Sequence, residues 1–138
     1  SEMCIRDRSY NGNPKSWYRV DRFLHRVPYE KTPEVYAACD ILLKTSLLES
    51  FSYPPLEMMA SGGYVVAVPN GGNLEYLKDG ENCILYPQGN LAEAKAAIER
   101  ILTDAELRKK LDTGAEETVK ERNWKRIEPQ ILEQYLGK

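Results

Sequence analysis

Residues Tyr64–Val68 read YVVAV, a run that is apolar throughout and does not alternate with polar residues. A strand that helices cover on both faces has this pattern, because both of its faces are buried. Other short aliphatic runs lie at Val20–Leu24, Ile41–Leu43 and Cys83–Tyr86, each separated from the next by helical or turn-forming sequence. This order predicts an α/β fold with a parallel sheet, in which Tyr64–Val68 is the central strand.

Helix-start signals follow the early strands. Pro33 favours a helix start before the residues EVYAAC, and Pro55 fits the first position of a second helix. Asn90 followed by Glu93 resembles a capping box and predicts a third helix. Its expected apolar face comprises Leu91, Ala94, Ile98, Ile101 and Leu102.

The last third of the chain is also predicted to be helical. Asp104 can cap a helix that passes through Leu107 and Leu111, and a polar helical stretch follows Gly114. An amphipathic terminal helix is expected from apolar residues at spacings of three and four: Trp124, Ile127, Ile131 and Tyr135. Its apolar face is expected to pack on a surface outside this sequence.

Size and composition exclude several classes of protein. At 138 residues and 42% hydrophobic, the chain is long enough for one modest α/β core. A net charge of −2 gives no electrostatic reason to expect nucleic acid as a partner. The thiols of Cys4, Cys39 and Cys83 lack zinc-site or disulfide spacing, so we expect a reducing, cytoplasmic setting. No apolar run approaches the roughly 20 residues that span a bilayer, and peripheral contact with the inner membrane face stays open.

The first residues, SEMCIRDR, show neither helical nor strand periodicity. They resemble translated sequencing-adapter read-through, so residues 1–8 are treated as a suspected artefactual segment and left out of the predicted fold. The predicted domain covers residues 18–138, and we expect the true chain to begin earlier.

Two carboxylates stand eight positions apart in the stretch LLESFSYPPLEMMASGG. A helix that begins at Pro55 would place Glu57 in its first turn, while Glu49 follows the strand Ile41–Leu43. Both acids would then lie at the carboxyl edge of the sheet, where open α/β folds bind ligands. The backbone amides of Ser50–Tyr53 would supply donors, so the set suits a sugar or a ribose. In the alternative, Glu57 only complements the helix dipole, worth about 0.3–1 kcal/mol, and Glu49 is solvated.

A longer stretch carries a family resemblance, YAACDILLKTSLLESFSYPPLEMMASGGYVVAVPNGGNLEYLKDGENCILYP. It resembles the C-terminal nucleotide-sugar domain of the retaining glycosyltransferases of family four, which have the two-domain GT-B fold. Their pattern E-G-F-G-x-P-x-L-E is matched by Glu49, Phe51, Pro54, Leu56 and Glu57. Further matches follow at Ala60, Gly62, Val65 and Val66, and then at Gly71, Gly72 and Glu75. The resemblance implies a partial Rossmann-like parallel sheet flanked by helices, the C-terminal half of a GT-B fold.

The resemblance also implies roles for individual residues. Glu57 would bind the ribose hydroxyls of the donor, and Glu49 would contact the transferred sugar and stabilise its oxocarbenium-like centre. The backbone amides around Phe51, Ser52 and Tyr53 would hold sugar hydroxyls. Serine stands at residues 50 and 52, where the family usually has glycine, so the hydroxyls of Ser50 and Ser52 either contact the donor or crowd it. Glu75 is a second candidate for supporting the sugar, or it serves only its own helix.

The activity implied is transfer of a hexose or deoxyhexose from a nucleotide-diphosphate sugar to a glycan or lipid-linked acceptor, with retention of configuration. The acceptor would bind a missing N-terminal domain, so the chain alone is expected to be inactive; neither a cofactor nor a metal is predicted. Tyr64, Cys83 and the residues LLKTS resemble rhamnosyltransferase-like members. Two alternatives stay open, a noncatalytic binding or scaffolding module with this fold and a mononucleotide binder of flavodoxin-like topology.

Four further residues have simpler interpretations. Gly71 and Gly72 are expected to form a turn, with phosphate binding as the alternative. Lys44 is expected to be a solvated lysine rather than a phosphate ligand. His25, the only histidine, is expected to end a strand.

Overall fold

The computed structural model describes residues 6–9 and 19–136. The strands are β1 (Arg6–Ser9), β2 (Arg22–His25), β3 (Ile41–Lys44), β4 (Tyr64–Ala67) and β5 (Ile84–Leu85). The helices are α1 (Thr32–Ala37), α2 (Tyr53–Ala60), α3 (Leu91–Thr103), α4 (Ala105–Glu121) and α5 (Trp124–Leu136), and a 3₁₀ turn (Tyr29–Lys31) precedes α1.

Strands β3, β4 and β5 form a three-stranded parallel sheet with β4 in the centre. Ile41 of β3 is paired with Tyr64 of β4, and Ala67 at the other end of β4 is paired with Leu85 of β5. The predicted central strand is therefore confirmed, and its residues 65–67 have no solvent exposure. The predicted α/β class, a parallel sheet flanked by helices, is confirmed as well.

Helices cover both faces of this sheet, as the uninterrupted apolar run requires. Val65 and Ala67 face a cluster that includes Tyr36 of α1 and Met58 of α2. On the other face, Val66 and Val68 pack with residues of α3 and α4, namely Ala94, Ala97, Ile101 and Leu111. Successive residues of a strand point to opposite faces, so β4 contributes to both clusters.

Strands β1 and β2 form a separate parallel pair, with Arg6 opposite Arg22 and Ser9 opposite His25. His25 is the last residue of β2, as expected. The sequence carries no signal for β1, since RDRS has no apolar residue. The assignment of residues 1–8 as artefactual and of residues 18–138 as the domain stays a prediction, because strand pairing does not report on the origin of a segment.

Helix α2 begins two residues earlier than predicted. Its first residue is Tyr53 and Pro54 lies in its first turn, because Ser52 adopts a left-handed conformation (φ 69°) that redirects the chain just before it. The expected placement of Glu57 in the first turn is therefore wrong, and Glu57 lies in the second turn. The helix ends at Ala60, and Gly62, two residues later, has a φ of 80°, a conformation that glycine adopts without strain.

The capping box of α3 is confirmed, since the Asn90 side chain accepts a hydrogen bond from the Glu93 amide at 3.1 Å. The predicted apolar face of α3 is partly wrong. Leu91 and Leu102 are 79% and 49% exposed, whereas Ala94, Ala97 and Ile101 are buried. Ala94, Ala97 and Ile101 pack against the sheet, whereas the two leucines face solvent.

Helix α4 is capped by Asp104, which accepts from the Leu107 amide at 2.9 Å, and it runs unbroken through Gly114. A side chain at Gly114 would collide with the backbone carbonyl of Glu81, so glycine at this position allows α4 to pack closely against the backbone of Glu81. The predicted helix α5 is confirmed, and its Trp124 and Ile131 are 65% and 36% exposed.

In the part of the chain that the structure describes, no helix is both long and apolar enough to cross a membrane.

Candidate functional site

Two loops meet at the carboxyl edge of the sheet, one after β3 and one after β4. The Asn70 side chain ties them together, because its Nδ2 donates to the Ser46 carbonyl at 3.0 Å. Its Oδ1 accepts from the amides of Gly72 and Asn73 at 3.0 and 3.1 Å, which fixes the second loop as a tight turn. Asn73 is fully buried and donates to the Val68 carbonyl at 2.9 Å. The turn predicted at Gly71 and Gly72 is confirmed.

The first loop carries the predicted catalytic acid, Glu49, in an ion pair with Lys44. Lys44 is the last residue of β3, and its Nζ donates to Glu49 Oε1 and, at 2.8 Å, to Ser46 Oγ. The side chains of Lys44 and Glu49 are only 17% and 20% exposed. The interpretation of Lys44 as a solvated lysine is therefore wrong.

This pairing determines the charge state of the acid. Partial burial by itself raises the pKa of Glu49, but the hydrogen bond from Lys44 and the nearby hydroxyls of Ser52 and Ser46 outweigh it and hold the pKa below its ordinary value. Glu49 is thus a fixed negative charge at neutral pH.

Residues 49–52 lead into α2 at Tyr53, and we call the segment from Glu49 to this first helical residue the Glu49–Tyr53 loop. Ser52 is 5% exposed and in the left-handed region, which explains why a glycine would be suited to this position. Its carbonyl accepts a hydrogen bond from the Tyr76 hydroxyl. Its own Oγ is buried and, among the described residues, has no hydrogen-bond partner of standard geometry. Ser50 and Tyr53 are exposed, Tyr53 by 66%.

The turn after β4 packs directly against the Glu49–Tyr53 loop at Gly72. A Cβ built on Gly72 would collide with the carbonyl of Glu49 and would lie 2.8 Å from the amide nitrogen of Phe51. Apart from its chain neighbours, no described residue has a heavy atom within 4 Å of the equivalent position on Gly71. Glycine is therefore required by packing at residue 72 and not at residue 71.

The second predicted acid, Glu57, lies in the second turn of α2 and is partly exposed. Within residues 19–136 its carboxylate has no ion-pair or hydrogen-bond partner. A carboxylate beyond the first turn interacts little with the unpaired amides of the helix start. Helix capping therefore does not account for this residue.

Glu75 has a protein partner. Its Oε1 accepts from Arg122 at 2.7 Å, and its carbonyl accepts from the same guanidinium at 3.1 Å. The guanidinium also lies over the rings of Phe51 and Tyr76, at 5.8 and 5.5 Å from their centroids.

Sequence reasoning missed the importance of Lys44 and Arg122. A lysine that ends an apolar strand five residues before an acid is a usable signal for Lys44. Arg122 carries no such signal, since it is distant from Phe51 in the sequence and meets it only in the fold. Among the described residues, no group of three or more His, Cys, Asp and Glu side chains is placed to hold a metal. The expectation that no metal takes part stays a prediction.

Comparison with known proteins identifies a matching family model and several similar proteins. Residues 21–118 match the family model described as glycosyl transferases group 1. The O-antigen biosynthesis protein RfbC of Myxococcus xanthus is 35% identical over 117 residues, which is 83% of this chain and 9% of that protein. The D-inositol 3-phosphate glycosyltransferase of Thermomonospora curvata is 30% identical over 116 residues, 84% of this chain and 27% of that enzyme.

Two solved structures have the same fold over most of the chain. Anabaena Alr3699/HepE in complex with UDP-glucose superposes with a TM-score of 0.75 and 28% identity, over 85% of this chain and 32% of that one. The sucrose-phosphate synthase of Thermosynechococcus elongatus gives a TM-score of 0.75 and 28% identity, over 83% of this chain and 29% of that one. The chain thus spans a third or less of the length of each of these relatives.

Proposed function

Since this chain belongs to the glycosyl transferases of group 1, we propose that it is the donor-binding part of an enzyme that transfers a sugar from a nucleotide-diphosphate sugar. Transfer would go to a glycan or lipid-linked acceptor, with retention of configuration. The acceptor would bind a preceding N-terminal domain, and the chain alone would bind donor without transferring it. We also propose that the protein is cytoplasmic and makes peripheral contact with the inner face of the membrane.

One observation carries this proposal, the fixed negative charge of Glu49 at the carboxyl edge of the sheet. Lys44 and the Ser46 and Ser52 hydroxyls keep Glu49 ionised. Transfer of a sugar develops positive charge at its anomeric carbon, and a carboxylate already held in place stabilises that charge without reorganisation. We assign Glu49 this role and assign no covalent nucleophile.

The donor nucleotide is proposed to engage Glu57. Its carboxylate is partly exposed and has no partner in the described part of the chain, so both oxygens are available to ribose hydroxyls. Backbone amides of the Glu49–Tyr53 loop would donate hydrogen bonds to the sugar. Ser50 is exposed, so its hydroxyl is accessible to the donor as well. We retain Glu75 only as an indirect contributor, because Arg122 occupies its carboxylate.

The proposed donor class draws on the relatives. The Anabaena protein is described as a complex with UDP-glucose, and the Myxococcus protein as acting in O-antigen biosynthesis. We therefore propose a nucleotide-diphosphate hexose or deoxyhexose as donor and polysaccharide biosynthesis as the setting. If the donor sugar is a deoxyhexose, we propose a rhamnosyltransferase-like specificity.

Saturation-transfer NMR on the 138-residue chain tests the donor site, with UDP-glucose and UDP as probes. Wild type should receive saturation at the ribose and glucose protons of UDP-glucose. Glu57→Gln should lose the ribose signal, and Glu49→Gln should lose mainly the glucose signal. Glu117→Gln, at an exposed glutamate of α4, is the matched control and should bind like wild type.

Other outcomes would contradict the proposal. Equal binding of UDP and UDP-glucose that ignores both acids would favour a mononucleotide binder. A folded wild-type chain that binds neither probe nor any other nucleotide-diphosphate sugar would favour the noncatalytic module.

A further inference from the structure

Arg122 joins the end of α4 to two segments of the candidate site. It follows the last residue of α4, and its amide donates to the Thr118 carbonyl at 3.2 Å. Its side chain is 25% exposed, whereas the Glu75 side chain that pairs with it is 58% exposed. The charge of Arg122 is thus mostly enclosed, although its acidic partner is not.

Aromatic rings supply much of that enclosure. The guanidinium lies 5.8 Å from the centroid of the Phe51 ring and 5.5 Å from that of Tyr76. The two rings also pack on each other, with centroids 5.3 Å apart. A planar guanidinium within about 6 Å of an aromatic face is attracted by the ring electrons. Arg122 therefore closes a three-member stack that includes a residue of the Glu49–Tyr53 loop.

Tyr76 extends this stack to the backbone of the loop, because its hydroxyl donates to the Ser52 carbonyl. Ser52 has a positive φ of 69°, which is unfavourable for a residue with a side chain. Such a conformation persists only where the surroundings hold it in place. Phe51 and Ser52 are thus both held by the stack that Arg122 completes.

Neither the family match nor the proposed function assigns Arg122 a role. We propose that Arg122 is a positioning residue that holds the Glu49–Tyr53 loop in its donor-binding conformation through Phe51 and Tyr76. This inference rests on the proposed function of the loop. Arg122 acts through these two residues rather than by touching the donor.

The first test uses Arg122→Gln, which removes the charge and the planar fork. The readout is the set of ¹H–¹⁵N amide signals of the ligand-free 138-residue chain. Signals of residues 50–53 should shift or broaden, while those of β4 should stay in place. UDP-glucose should then bind about fivefold to thirtyfold more weakly, the range that the loss of one or two cation–π contacts produces.

Three variants separate positioning from general stability. Arg122→Lys keeps a positive charge near Glu75 but loses the planar stack, so it should not restore the loop signals. If Arg122→Gln does not fold, the loop signals and UDP-glucose affinity of Arg122→Lys are compared with those of the wild type instead. Glu75→Gln removes the ion pair and leaves the stack, so its effect should be smaller. Arg100→Gln, at an exposed arginine of α3, is the matched control.

The outcomes distinguish this inference from the proposed function. Loop signals that stay unchanged in Arg122→Gln, with or without a lower melting temperature, overturn the positioning role. Changed loop signals with unaltered UDP-glucose affinity overturn it too. If the wild type binds UDP-glucose only weakly and independently of Glu57 and Glu49, the proposed function fails first, and the donor-positioning role fails with it.

Discussion

Replacing Lys44 with methionine should destabilise the chain by about 2 kcal/mol at pH 7. Removal of one partner from a fully buried ion pair costs about 3–5 kcal/mol, and from an exposed pair about 0–1 kcal/mol. The Lys44 and Glu49 side chains, at 17% and 20% exposed, lie between these limits. Methionine keeps the length and packing of the lysine stem, so the loss reports mainly on the charge and its hydrogen bonds.

The stability difference between wild type and Lys44→Met depends on pH, and the direction of this dependence follows from the pKa of Glu49. The pKa of Glu49 is lower in the folded wild type than in the unfolded chain, so its contribution to stability is complete above the unfolded pKa of about 4.3. That contribution is lost as the pH falls through the folded pKa. Replacing Lys44 removes the strongest of the groups that lower the pKa of Glu49 against the effect of burial. The stability difference between wild type and Lys44→Met should therefore shrink from about pH 5 downward.

Urea unfolding followed by circular dichroism at pH 7, 5, 4 and 3 measures this difference directly. The matched control is Lys78→Met, because Lys78 and Glu81 are 4.0 Å apart and 68% and 63% exposed. Its effect should stay within about 0.5 kcal/mol at every pH. A loss below about 0.5 kcal/mol for Lys44→Met, or a loss that does not change with pH, would contradict a stabilising ion pair between Lys44 and Glu49.

Three further substitutions test the loop geometry. Gly72→Ala should destabilise by about 1–3 kcal/mol and shift the Phe51 amide signal, because the new Cβ would collide with the Glu49 carbonyl, whereas Gly71→Ala has open space and should be close to neutral. Ser52→Gly should stabilise the chain by up to about 1 kcal/mol in urea unfolding, because it relieves the φ of 69°, offset in part by the entropy of glycine and by the loss of a hydroxyl near Glu49. Destabilisation by Ser52→Gly would instead indicate that the interaction of that hydroxyl with Glu49 outweighs the relief of the unfavourable φ.

Local patterns were sufficient to predict much of the fold. The apolar run of β4 indicates a strand buried on both faces, and β4 is central and fully covered. The Asn90 and Glu93 pair predicts the start of α3, since a cap depends only on residues three apart. In each case the deciding interactions lie within one element or follow from its periodicity.

The failures have a common physical cause. Helix α2 starts at Tyr53 because Ser52 takes a left-handed conformation, which propensity does not favour for serine. Leu91 turns to solvent because the alanines of α3 face the sheet instead. The partner of Glu75 comes from the far end of α4. Each of these outcomes is decided by packing between distant segments, on which local sequence carries no information.

The same distinction applies to the candidate site. The spacing of Glu49 and Glu57 identifies the acids, but the charge of Glu49 depends on Lys44 and the shape of its loop depends on Gly72. A sequence could keep both glutamates and lose these supports, and it would then match the pattern without holding a charged acid in place. For this reason the variants at Lys44 and Arg122 are more informative than those at the acids themselves. They test whether the site is held in its binding geometry, whereas substitution of an acid tests only whether that acid takes part in binding.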